Sequence, residues 1–200
     1  GQWKAIMDNN PSAFLFCGDS CPVDQVSWND AQAFIQKLSV KTGKQYRLPS
    51  ESEWEYACRA GGRQEYCGSD DVNSVAWYGI FSLGKPHPVG GKNANVFGLY
   101  DMSGNVWEWV GDSYHANFNG APSDGSVWQG DSAERVLRGS SWDEDPLGAG
   151  VALRNWRRPE ARYKNIGFRV ARTFPQAGEV SMRKRKSALK LAPEQRRSSR

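Results

Sequence analysis

Histidine is nearly missing from this chain: His87 and His115 are the only two in 200 residues, too few for the usual histidine-rich metal centres. No apolar run approaches the roughly 18–20 residues that cross a bilayer, which excludes a transmembrane helix. No initiator Met precedes Gly1, and the chain opens inside an amphipathic segment (Trp3, Ile6, Met7). It reads as a fragment or processed chain, so any signal peptide or anchor would lie upstream and the compartment stays open, with an extracytoplasmic one favoured. There is no internal repeat, and beyond Gly62 no helical period survives.

What is present is turn-forming and aromatic: 21 glycines, 10 prolines and 9 tryptophans, with 38% hydrophobic and 24% charged residues. A mean hydropathy of −0.69 and this length describe one globular domain with room for a single core. The net charge of +4 is misleading until it is divided. Residues 181–200 hold eight Lys/Arg and one Glu, a net +7, and the other 180 residues hold 18 basic and 21 acidic side chains, a net −3. The pI of 8.9 therefore belongs to the tail, and the body is not a nucleic-acid binder. The tail, 178–200, carries Arg183-Lys184-Arg185-Lys186 and little apolar surface. It is expected to be disordered and solvated, with contact to anionic partners as the alternative.

Two helices are legible. Ser27 with Asp30 three residues on has capping-box spacing, Ala31, Phe34, Ile35 and Leu38 follow at i, i+3, i+4, i+7, and Gly43 suits a left-handed cap. A second helix starts at Ser50 with Glu53, buries Trp54, Ala57 and Cys58, and stops at Gly61-Gly62. Short strand-like pieces come later, the clearest at Ile166–Arg172, where Ile166, Phe168 and Val170 alternate with Gly167, Arg169 and Ala171. Helices early and short strands late predict a compact, irregular α+β domain over residues 1–177.

Five ordered blocks carry a resemblance: Val23–Trp28, Tyr46–Ala57, FGLYDMSGNVWEWVGD at 97–112, RVLRGSSW at 135–142 and NIGFRVAR at 165–172. Together they resemble the sulfatase-modifying-factor, or formylglycine-generating-enzyme, family from about Gln2 to Thr173, with a shorter N-terminal part. The resemblance implies a glycine- and tryptophan-rich variant of the C-type-lectin fold. It also implies a choice of functions, because this scaffold carries copper- and dioxygen-dependent oxidases, sulfoxide synthases, domains on kinases, and ligand-binding proteins that include retroelement-diversified ones.

In the oxidases, two cysteines about five residues apart follow the Gly-Gly-Ser-(Trp/Tyr) block and hold Cu(I), as soft thiolates do. Here that stretch, 139–149, contains no cysteine, and Glu144 and Ala149 stand where the thiols would be. Copper is not expected. The iron of the sulfoxide synthases needs a histidine set that this chain lacks. Cys17 and Cys21 have a spacing open to a local disulfide, to free thiols or to a metal. Relatives pair a cysteine equivalent to Cys58 with one in the Gly-Phe-Arg block, but Val170 occupies that place. Cys58 is expected to be a small core residue, with Cys67 as the lesser alternative, a partner.

The resemblance also implies a structural calcium loop: Asp101 and Glu108 through side chains, Gly104 and Val106 through carbonyls, a donor set suited to a hard cation. The opposing reading pairs Glu108 with an arginine and has no ion. A candidate binding face for a protein or small ligand spans 143–164: Asp143, Glu144, Asp145, Leu147, Trp156, Arg157, Arg158, Tyr163 and Lys164, framed by Arg154, Pro159 and Arg162. Aromatic and arginine side chains are good interface anchors; the competing reading is a solvated loop rim. Two functions stand: a non-catalytic binding or regulatory module, and an oxidase-like enzyme with displaced ligands.

Overall fold

The computed structural model describes residues 1–174; the tail from 178 lies outside the described residues. A short turn of helix, α1 (Lys4–Met7), is followed by an irregular loop and then α2 (Trp28–Thr42). Ser27 and Asp30 exchange both capping-box bonds, and Gly43 closes the helix at φ 67°, a conformation that costs glycine little. Ala31, Phe34 and Ile35 are buried while Leu38 is half-buried against the same cluster. Trp3 stacks on Phe34 with centroids 5.4 Å apart, and Phe168 meets both rings edge-on, so the first and last parts of the chain share one aromatic core.

After β1 (Gln45–Arg47) comes α3 (Glu51–Arg59), again opened by a capping box, Ser50 with Glu53. It closes on Ala60 in the left-handed region, one residue before the expected glycines, and Ala57 is only partly buried beside the fully buried Trp54 and Cys58. Cys58 is bonded to Cys67, and Cys17 to Cys21. The pairing corrects the expectation of an unpaired Cys58: the chain turns back after Gly61-Gly62 and brings the two Cα atoms to 4.8 Å. With all four cysteines of the sequence paired, no free thiol remains.

A one-turn helix, α4 (Val72–Val75), leads into β2 (Ala76–Trp77), which pairs in parallel with β3 (Ser103–Gly104). The main sheet has four strands: β4 (Trp107–Ser113), β5 (Arg135–Arg138), β6 (Arg154–Arg157) and β7 (Ile166–Phe168), ordered β6-β5-β4-β7. β4 is buried along its whole length, antiparallel to β5 and parallel to β7. β8 (Ala171–Thr173) leaves this sheet and pairs with β1, Thr173 opposite Gln45. The expected single strand Ile166–Arg172 is thus two. Arg169 breaks it, because its guanidinium is drawn to Glu108 and to the carbonyls of Tyr100 and Asp101. Val170 then sits exposed where alternation would bury it. The result is a mixed helix-and-strand fold with few helices and short strands, as in the C-type-lectin-like variant the sequence predicts.

Candidate functional site

Two places on the fold concentrate chemistry, and both are anchored by β4. The first is the turn that enters it. Gly104 has φ 76° and runs so close to the Trp77 backbone that a Cβ would collide with it. The turn is therefore tight because residue 104 lacks a side chain. Asp101 Oδ2 accepts from the Gly90 N–H at 2.8 Å, and Oδ1 accepts only a long bond, 3.4 Å, from Asn105 Nδ2. The almost fully buried Glu108 takes Arg169 through both oxygens at 2.6 Å and the Trp54 indole N–H at 2.6 Å. Burial pushes the Asp101 carboxyl up, against the Gly90 bond and the nearby Arg169 charge. Burial also works against the Arg169 charge, but the pairing with Glu108 outweighs it and holds the guanidinium above its ordinary value.

The predicted calcium residues therefore share one turn, with Glu108 ion-paired to Arg169. Among the described residues Glu108 Oε1 accepts a single bond and Asp101 Oδ1 a single long one. Each keeps a lone pair, but among the described residues no third acidic, histidine or cysteine side chain joins them, and a cation there would have to share Glu108 with Arg169. Asp101 and Glu108 also line an open cleft of about 1120 Å³ together with Trp3, Phe34 and Phe168.

The second place is the segment after β5. Trp142 is buried with Phe14 edge-on at 5.5 Å and the Lys164 ammonium 5.1 Å above its ring. The exposed Asp143 accepts from Ser141 Oγ and Asn165 Nδ2. Glu144 Oε1 accepts from the Trp107 indole at 3.2 Å. Asp145 caps a short 3-10 turn, Pro146–Ala149, through the Gly148 N–H; Leu147 stands exposed on that turn and Ala149 is buried against Tyr78.

The predicted face does not form one surface. Strand alternation in β6 turns Arg154 and Trp156 one way and Asn155 and Arg157 the other. Trp156 stacks on Tyr114 at 4.2 Å, where Arg154 also covers the Tyr114 and Phe118 rings. Arg157 instead bonds Asn155 and lies 5.6 Å from the Tyr163 ring. Arg158 is exposed. Lys164 lies over Trp142, and Ser141 and Asn165 hold Asp143 beside it, whereas Trp156 stacks with Tyr114.

Residues the sequence reading missed complete the rim around Trp142. The turn Gly79–Ser82 packs here, with Ser82 Oγ donating to the Trp142 carbonyl at 2.6 Å. It leaves Ile80, Phe81 and Leu83 largely exposed, and Phe16, under the Lys85 ammonium, is exposed as well. The signal available in the sequence was the Ile80-Phe81-Ser82-Leu83 run outside any periodic element.

Residues 3–174 match the sulfatase-modifying factor enzyme 1-like domain. The chain is 37% identical over 168 residues to the inactive C-alpha-formylglycine-generating enzyme 2 of Bos taurus, an alignment covering 75% of this chain and 50% of that protein. To the formylglycine-generating enzyme of Streptomyces coelicolor it is 36% identical over 169 residues, covering 75% and 52%. Among solved structures, Treponema denticola variable protein 1 superposes with a TM-score of 0.77 at 30% identity, covering 84% of this chain and 79% of that one. PvdO from Pseudomonas aeruginosa superposes at 0.73 and 40%, covering 78% and 64%. The chain spans about half the length of the two curated relatives.

Proposed function

Because the chain belongs to the sulfatase-modifying factor family, we propose that it is a non-catalytic member that binds a protein or small ligand through the surface around Trp142. One observation carries this reading: where the family resemblance puts a thiol pair, the chain has Glu144 and Ala149, and its four cysteines are all in disulfides. Carboxylate and methyl groups are poor ligands for Cu(I), and a disulfide sulfur is not a thiolate. The exposed apolar turns and the acidic run 143–145 support a binding surface at the same place. Likeness to an inactive family member and to a variable protein agrees with that reading. The calcium turn is proposed as a structural ion site that braces the start of β4, with Asp101 and Glu108 supplying side-chain oxygens and Gly104 and Val106 carbonyls.

Two measurements test the function. A peptide of the Cys-x-Pro-x-Arg type is incubated with the protein, copper, reductant and air, and its mass followed. No oxygen-dependent loss of the thiol above a heat-denatured control is expected; turnover that disappears on mutating Cys17 or Cys58 would establish an enzyme with a displaced nucleophile. In parallel, a displayed random-peptide library is selected on the folded protein. Enriched peptides should bind at least tenfold more weakly to Phe81→Asp or Leu147→Asp, and binding indifferent to both would remove this surface from the reading.

A further inference from the structure

The loop that follows β4 carries the one Asn-Gly pair in the sequence, Asn119-Gly120. Both residues are exposed. They form the middle of a turn closed by a single backbone bond, from the Ala121 N–H to the Phe118 carbonyl at 3.1 Å. Gly120 has φ 84°, and a Cβ placed on it would meet nothing within 4 Å. Asn119 donates through its backbone N–H to Asn117 Oδ1 at 3.0 Å, but among the described residues its side-chain amide has no hydrogen-bond partner, and neither has the Gly120 N–H. An electrophilic amide carbon and the backbone nitrogen of the next residue are therefore both unrestrained, and the glycine has no side chain to shield that nitrogen.

We propose that Asn119 is a deamidation site, modified by its own backbone without an enzyme. The Gly120 nitrogen gives up its proton and attacks Asn119 Cγ. The new C–N bond closes a succinimide ring, the Cγ–Nδ2 bond breaks, and Nδ2 leaves as ammonia with that proton. Water then opens either ring carbonyl, leaving aspartate or isoaspartate, and no electrons change hands. The product carries one more negative charge. The isoaspartate form routes the main chain through the side-chain carbons, so the bond from Ala121 to Phe118 loses its geometry. Two other pairs show what protects a site. Asn73-Ser74 is exposed at Asn73, but the Ser74 N–H donates to the Asp71 carbonyl at 3.1 Å. The Asn73 side chain is also held, Nδ2 by Asp71 Oδ1 at 3.3 Å and Oδ1 by the Tyr78 hydroxyl at 2.8 Å. At Asp124-Gly125 the Ser126 N–H bonds the Asp124 carboxylate at 2.9 Å and keeps it ionised below its ordinary range; an anion resists nucleophilic attack. The Gly125 carbonyl is further pinned by Ser50 Oγ at 2.6 Å.

The test incubates the folded protein in mildly alkaline buffer, digests it, and follows each asparagine by mass spectrometry with fragmentation that separates aspartate from isoaspartate. Asn119 should convert at least tenfold faster than every other asparagine, Asn73 included, with both products present. Gly120→Ala should slow the conversion at least tenfold, because its methyl group crowds the attacking nitrogen. Isoelectric focusing should show an acidic band that grows with time in the wild type and is absent from Asn119→Gln. Conversion at Asn119 no faster than at Asn73, or an equal rate in Gly120→Ala, would overturn the proposal. Aspartate without isoaspartate would overturn it as well, since direct hydrolysis of the amide makes no ring.

Discussion

Asp24 is buried in the loop before α2, where its Oδ1 accepts from the Ala13 N–H at 2.7 Å while Oδ2 has no partner among the described residues. Burial raises its carboxyl from 3.8 to about 6, against the Ala13 N–H bond and the neighbouring Phe14 N–H. An acid whose folded value is raised binds its proton more tightly in the native state, so its contribution falls as pH rises between 3.8 and about 6. By linkage the change is ~3 kcal/mol. Asp24→Asn should flatten that part of the stability profile, read as urea unfolding free energy from pH 4 to 7. A wild-type profile parallel to the variant's would dismiss the shift. Asp30, Glu53 and Glu55 act in the opposite sense. Burial raises each, but arginine pairing and, at Asp30 and Glu53, cap bonds outweigh it, so their support is lost only as pH falls below the ordinary carboxylate range. Arg138 is wholly buried, bonded to Glu51, Glu55 and the Val151 carbonyl. Arg138→Ala should cost about 3 kcal/mol in urea unfolding, because it empties a wholly buried site and leaves Glu51 to Arg154 alone and Glu55 to Arg59 alone.

Both helices were legible in the sequence because their information is local: Ser27–Asp30 and Ser50–Glu53 each close a capping box within four residues. Ser27→Ala should lower unfolding stability by about 1 kcal/mol, and a change within error would mean that packing of Trp3 on Phe34 alone holds the helix. The Cys58–Cys67 bond was legible only as the lesser alternative, since its geometry depends on where the chain turns after α3. Replacing both cysteines by alanine should cost about 2–4 kcal/mol in thermal or denaturant unfolding. The split at Arg169 escaped for a similar reason, because alternation over Ile166–Arg172 says nothing of a carboxylate at Glu108, 61 residues earlier. The candidate face was half legible. Period 2 alone separates Trp156 from Arg157, but that Trp156 seeks Tyr114, and that Ile80 and Phe81 join the rim of Trp142, are facts of loops packed across long sequence distances.

Over the whole molecule, calcium linkage is the cheapest property to measure. Ion bound only by the folded state adds to its stability by mass action, so chelator should lower the melting temperature of the wild type and leave Asp101→Ala unmoved. Identical wild-type curves with and without chelator would remove the ion. A different consequence follows from the clasp of β1 to β8. Gln45 pairs with Thr173, and β7 enters the main sheet beside β4 only after β5 and β6 have been made. Such pairings bear the entropy of closing very long loops before any contact rewards it. A ribosome releasing this chain would therefore carry an unclosed sheet edge until the residues around 173 are free of the exit tunnel. Nascent chains stalled with residue 165 just emerged should be cleaved by protease throughout 103–142, and those in which residue 174 has emerged should resist, which places protection at the emergence of β8.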